Sequence, residues 1–158
     1  MERDKLSGAA EISGGQATRF LKALTEGTLQ DTSREILAAY PSMASLWTMA
    51  NLAFLHGEAA ASHYRSMSDA EDNVVQHGVA LLELGATVLT YSRSSTVMRI
   101  LREGADRIAG IICGEGRPNY EGRQLARELA GTGIAVRYAT DAGGLSLVSE
   151  ADVALIGA

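Results

Sequence analysis

With 158 residues, 46% of them hydrophobic and 21% charged, the chain has the length of one domain and enough apolar material for a real core, which excludes a disordered segment. The net charge of −5, with 14 basic residues spread along the chain and no basic block, argues against direct nucleic-acid binding. No apolar run approaches the roughly 20 residues of a membrane span, Met1–Lys5 is not a signal peptide, and the single Cys113 cannot form an internal disulfide, which together fit a cytoplasmic protein without membrane contact.

From Met1 to Leu84 the pattern is helical. Leu6, Ala17, Phe20, Leu21 and Leu24 space two early helices, with Ser13-Gly14-Gly15 expected to separate them. Tyr40-Pro41 breaks the chain, because proline disfavours helical geometry in the residue before it. Met43, Leu46, Trp47, Ala50 and Phe54 then recur at three and four residues, predicting one apolar face on a helix that Gly57 can close. A longer helix is expected from Ser68, where Ser68 and Glu71 have capping-box spacing, with Val74, Val75, Val79, Leu82 and either Ala70 or His77 facing neighbours.

From Gly85 the composition changes to short β-branched runs alternating with helices. Strands are predicted over 86–90, 108–113, 134–138 and 153–156, with helices over 95–103, 120–131 and, briefly, 144–150. Nearly continuous apolar strands joined by helical crossovers specify a parallel sheet covered on both faces. The fold class is therefore α/β, with a helical amino-terminal region over 1–84 and a doubly wound, Rossmann-like domain over 85–158. No solenoid repeat or low-complexity segment interrupts it. The apolar ending Ala154-Leu-Ile-Gly-Ala158 lacks a polar tail, so further chain is expected beyond it and the sheet is expected to be incomplete.

In a parallel sheet every strand's carboxyl end points to one edge, where such folds bind ligands. The first loop there offers Ser92, Arg93, Ser94, Ser95 and Thr96, the second Glu115 and Arg117, and the third Thr140 and Asp141. Hydroxyls and unpaired helix N–H groups suit phosphate, Arg117 adds a bidentate fork, and Asp141 can accept from sugar hydroxyls. The expected ligand is a phosphorylated sugar or a nucleotide. A purely structural alternative reads Ser94 or Ser95 as a helix cap, Arg117 as the partner of Glu115 or Glu121, and Asp141 as a turn residue.

Other candidates are weaker. Cys113, inside an apolar strand, reads as a buried structural thiol. His56, His63 and His77 lack ligand spacing, so no metal is assigned, and Gly114-Glu-Gly-Arg-Pro is not a dinucleotide fingerprint, so no cofactor is either.

The segments Val88-Leu-Thr-Tyr-Ser-Arg-Ser-Ser-Thr-Val-Met-Arg-Ile-Leu, Gly114-Glu-Gly-Arg-Pro-Asn-Tyr-Glu-Gly-Arg, Gly133-Ile-Ala-Val-Arg-Tyr-Ala-Thr-Asp-Ala and Ala151-Asp-Val-Ala-Leu-Ile-Gly-Ala occur in an order that resembles the family of the alpha, beta and delta subunits of translation initiation factor 2B. Weaker likeness extends to Ser7-Gly-Ala-Ala-Glu-Ile and Pro41-Ser-Met-Ala-Ser-Leu-Trp. That family also holds two sugar-phosphate isomerases, methylthioribose-1-phosphate isomerase and ribose-1,5-bisphosphate isomerase. The resemblance implies a helical domain before a Rossmann-like one, a dimer or an assembly of related subunits, and a sugar-phosphate pocket between the domains. It also implies that Arg117 grips phosphate or sugar and that the loop from Ser92 to Thr96 lines the pocket.

Departures from the isomerase pattern point to a non-catalytic member, so no catalytic residue is assigned. In the isomerases the first strand ends Thr-His-Cys, with the cysteine in proton transfer, whereas this chain reads Thr90-Tyr91-Ser92. A serine hydroxyl is far less acidic than a thiol. Tyr40 stands where the isomerases have an arginine before the proline, and their catalytic aspartate follows the Gly-Ala at which this chain stops. The expected function is an initiation-factor-like subunit with a regulatory pocket; the alternative is an aldose-ketose isomerase acting on a phosphorylated ribose.

Overall fold

A computed structural model describes residues 7–157, so Leu6 and Ala158 lie outside the described residues. The chain divides into two compact units, one up to Asp72 and one from Asn73.

The first unit is helical: α1 (Ala9–Glu26), α2 (Leu29–Ala39), α3 (Ala44–His56), a 3-10 turn (Gly57–Ala59) and the beginning of α4 (Ala60–Ala80). Its core gathers Phe20, Ile36, Tyr40, Leu46, Met49, Ala50, Ala53, Ala60 and Tyr64. Helix α1 starts where the Gly8 N–H donates to Glu11 Oε2 at 2.8 Å, and it stops at Gly27, whose φ of 71° lets the chain turn left-handed while the Thr28 N–H returns to Ala23 O. The expected break at Ser13-Gly14-Gly15 does not occur. Ser13 is buried instead and its hydroxyl pairs with that of Ser45 at 2.7 Å, fastening α1 to α3. Tyr40 does end α2, its N–H bonding Ile36 O.

Two other helical expectations are corrected. The face that α3 buries is Leu46, Met49, Ala50 and Ala53, while Trp47 and Phe54 remain 48% and 56% exposed. The two small alanines permit close helix approach, which the bulkier pair would prevent. Helix α4 does not begin at Ser68 but runs through it from Ala60, since Gly57, at φ 56°, has already ended α3. Its buried members in the second unit include Val75, whereas Val74, Ala70 and His77 are exposed.

The second unit carries β1 (Ala86–Thr90), α5 (Ser95–Glu103), β2 (Ile108–Gly114), α6 (Glu121–Leu129), β3 (Ala135–Ala139), α7 (Asp141–Ser146) and β4 (Val153–Leu155). All pairings are parallel, in the order β3-β2-β1-β4. The chain steps from β1 outward to β3 and then returns to the other side of β1. Right-handed crossovers therefore set α5 and α6 against one face and send the α7 connection across the other. Val97, Met98, Ile100 and Leu101 of α5 join Val88, Ile108, Ile111, Leu125 and Leu129 in the core, each such burial contributing about 1.5–3 kcal/mol. The result is a parallel α/β sheet with helices around it, as the strand and helix spacing predicts. Strands β3 and β4 are only partly buried, unlike β1 and β2.

Candidate functional site

The carboxyl ends of β1, β2 and β3 bring three loops together, and the glycines at that edge explain how closely. A Cβ on Gly122, in the first turn of α6, would fall 1.8 Å from Gly114 O, so only glycine lets α6 start against the end of β2. Gly116, at φ 72°, then turns the chain toward Arg117, and a Cβ there would press on the Gly122 and Glu121 amides. The Arg117–Pro118 peptide is cis.

Asp141 organises this turn. Its Oδ1 accepts from the Gly116 N–H at 2.9 Å and its Oδ2 from the Arg117 N–H at 3.0 Å, and these two donors hold its carboxyl below the usual value. Thr140 caps α7 by accepting from the Gly143 N–H at 3.1 Å, which orients the start of that helix beneath the turn. The Arg117 guanidinium donates through Nε to Glu115 Oε1 at 2.6 Å and lies 5.5 Å over the Tyr120 ring. Its side chain is 64% exposed whereas that of Glu115 is 9%. The hydrogen bond and charge of Glu115 raise the arginine's pKa further.

The six positions expected besides Arg117 separate. Ser92, held at φ 67°, donates its hydroxyl to Glu121 Oε2 and so joins the Asp141–Arg117 group. Arg93 turns to α6, where Nε and an η nitrogen engage Glu128 at 2.8 and 3.3 Å, and its side chain is 9% exposed. That arginine hydrogen bond lowers the Glu128 pKa. Ser94 caps α5 by accepting from the Val97 N–H, and Ser95 is buried. Ser94 and Thr96 instead border a cavity of about 330 Å³ with Val97, Ile100, Leu155 and Gly157. A Cβ on Gly157 would stand 2.4 Å from Ser94 Cβ, so the ends of β1 and β4, the point at which the strand order reverses, close tightly.

The structural alternative is thus present in part: Ser94 is a cap, and Arg117 pairs with Glu115. Tyr91 was not singled out from sequence. Its phenol is bonded to Asp141, and desolvation, then that carboxylate, then Glu115 and Glu121 raise its pKa. Glu115 and Asp141 thus act on the exposed Arg117, Glu121 holds Ser92 beside the same turn, and the charge of Arg123, also exposed, acts on Tyr138 at the end of β3. Cys113, by contrast, is fully buried, its thiol near Gly122 O and Gly114 O at 3.3 and 3.4 Å, and burial pushes its pKa up to about 11. Among the described residues no group of three His, Cys, Asp or Glu could hold a metal, and no helix is long and apolar enough to cross a membrane.

Comparison with known proteins connects this geometry to relatives. A family model described as the Initiation factor 2 subunit family matches residues 11–158. A protein of Pyrococcus horikoshii, named for its likeness to subunit 2 of translation initiation factor eIF-2B, is 32% identical over 173 residues, covering all of this chain and 63% of the relative. The ribose 1,5-bisphosphate isomerase of Thermococcus kodakarensis is 27% identical over 124 residues, covering 76% of this chain and 37% of the enzyme. Among solved structures, the Pyrococcus horikoshii eIF-2B superposes with a TM-score of 0.81 at 31% identity, over 99% of this chain and 62% of that one. The 5-methylthioribose 1-phosphate isomerase of the same organism shares the fold at a TM-score of 0.70 and 16% identity, over 97% and 54%. The chain spans about 63% of the length of the curated relatives it matches first.

Proposed function

Given that the chain belongs to the initiation factor 2 subunit family, we propose that it is a non-catalytic subunit of the initiation-factor-2B type, whose strand-end loops hold a phosphorylated sugar or nucleotide in translation initiation or its regulation. Ser92 carries the reading: the place of the isomerases' proton-transferring cysteine holds a hydroxyl, and that hydroxyl already donates to Glu121. A serine hydroxyl is far less acidic than a thiol and does not take over its proton transfer at neutral pH. The remaining thiol, Cys113, is buried and protonated.

Binding needs less than catalysis does. With Nε held by Glu115, the outer nitrogens of Arg117 can fork onto a phosphate, while Asp141 keeps the Gly116–Arg117 turn in the shape that presents them. Glu115 and Glu121 can accept from sugar hydroxyls. Ligand occupancy would regulate by favouring one assembly state over another, with a second copy or related subunits as partners. A solved relative, the beta2-delta2 complex of Chaetomium thermophilum, is tetrameric. The cytoplasm is the compartment proposed.

Calorimetric titration of the chain with ribose 5-phosphate and with adenosine monophosphate tests the binding. At least one should bind saturably, and Arg117→Ala should weaken it about tenfold or more through loss of a charge-assisted contact. Equal isotherms for both proteins would refute the assignment. The isomerase reading is favoured by the Thermococcus kodakarensis relative. It requires ribose 1,5-bisphosphate to yield a ketose in a manner lost in Ser92→Ala or Asp141→Asn, whereas the binding-subunit reading expects a flat product trace.

A further inference from the structure

A second cavity, of about 510 Å³, lies in the helical unit between α2 and α3, far in sequence from the strand-end loops. Ser33, Arg34 and Leu37 line it from α2, Trp47 and Phe54 from α3. Positions 33, 34 and 37 repeat at helical spacing, as do 47 and 54, so each helix turns one stripe to the cavity. Three features distinguish it from an ordinary seam between helices.

First, Trp47 and Phe54 are half exposed, yet the indole is fixed, its Nε1–H donating to Pro41 O at 3.0 Å. A flat aromatic wall held at one angle is preorganised to stack. Second, Ser33 is 5% exposed and its Oγ has no hydrogen-bond partner, although a buried hydroxyl ordinarily finds one. Third, Arg34 beside it engages, among the described residues, Asp31 in an exposed pair at 3.4 Å, a contact weak enough to exchange for a better anion. An apolar body with one hydroxyl and one guanidinium at its side is the composition of a small-molecule site, and the volume lies within the range of about 300–1,000 Å³ that such sites occupy.

We propose that this cavity binds a small planar aromatic carboxylate, its ring stacked between Trp47, Phe54 and Leu37 and its carboxylate taken by Arg34 and the Ser33 hydroxyl. The serine reaches the ligand by turning about its Cα–Cβ bond, which no existing hydrogen bond opposes.

The chain holds a single tryptophan, so the indole N–H resonance reports this cavity alone. Titrating the full chain with 2-naphthoate should move that resonance saturably, with a dissociation constant of about 1 mM or below. Arg34→Gln should weaken the response about fivefold or more and Ser33→Ala about threefold, because each removes a contact to the carboxylate. Ala38→Phe, which fills the cavity from its α2 wall and leaves Trp47 the single indole, should abolish it, with helical circular dichroism showing that the variant remains folded. Neutral 2-methylnaphthalene should bind more weakly than the acid. The proposal is overturned if 2-naphthoate produces no saturable movement, or if movement persists unchanged in Arg34→Gln or in folded Ala38→Phe.

Discussion

Both carboxylate oxygens of Asp141 are committed to backbone N–H groups of the Gly116–Arg117 turn, and this makes the turn's shape depend on the charge of one side chain. The carboxyl's pKa is depressed in the folded chain, so its contribution is fully present above the ordinary value of 3.8 and is lost as pH falls through the lower, folded one. The Gly116 and Arg117 amide resonances should accordingly titrate together with a midpoint below 3.8; a midpoint at or above that value would contradict the latch. Cys113 offers the opposite case. With its thiol raised to about 11, only about one molecule in a thousand carries a thiolate at pH 8, and burial restricts access further. A thiol-specific reagent should label native chain slowly at pH 8 and denatured chain at once, whereas equal rates would mean that the strand does not enclose it.

At the scale of elements, the glycines separate local preference from tertiary demand. Gly14 and Gly15 lie within α1 with open space where a Cβ would stand, so Gly14→Ala should stabilise the chain by about 0.5–1 kcal/mol in urea unfolding. No gain would imply that the helix is broken there after all. Gly122→Ala should cost about 3 kcal/mol or more, since its methyl would occupy the Gly114 carbonyl oxygen, and a near-neutral result would mean that α6 does not abut β2. The strands were legible because β-branched runs bounded by glycine and polar residues have few other readings; β1 and α5 occupy the expected 86–90 and 95–103. The helices were less so. A pair of glycines weakens a helix by only about 2 kcal/mol, and the burial of Phe20 together with the Ser13–Ser45 contact outweighs that. In α3 a period of 3.6 fits two adjacent faces that share Leu46 and Ala50, and sequence alone does not say which face meets α1.

For the whole molecule, membership of the initiation factor 2 subunit family rests on agreement between motif order, the match over residues 11–158 and a TM-score of 0.81 to a 31% identical structure. The loops that form the strand-end edge were readable from the parallel-sheet pattern. Their internal pairing was not. Ser92 and Glu121 are 29 residues apart and Arg93 and Glu128 are 35 apart, so both contacts exist only once α6 has docked on the sheet. Docking draws Arg93 into a buried ion pair with Glu128 and leaves Arg117 exposed beside Glu115 and Asp141, so Arg117 is the guanidinium through which the proposed ligand's phosphate is held. The phosphorus-31 resonance of ribose 5-phosphate or adenosine monophosphate, followed as chain is added, examines that contact most directly. The account predicts a saturable shift for one of them with the natural chain and its loss with Arg117→Ala at an unchanged melting temperature. An identical phosphorus response from the two proteins, or none from either, would contradict it.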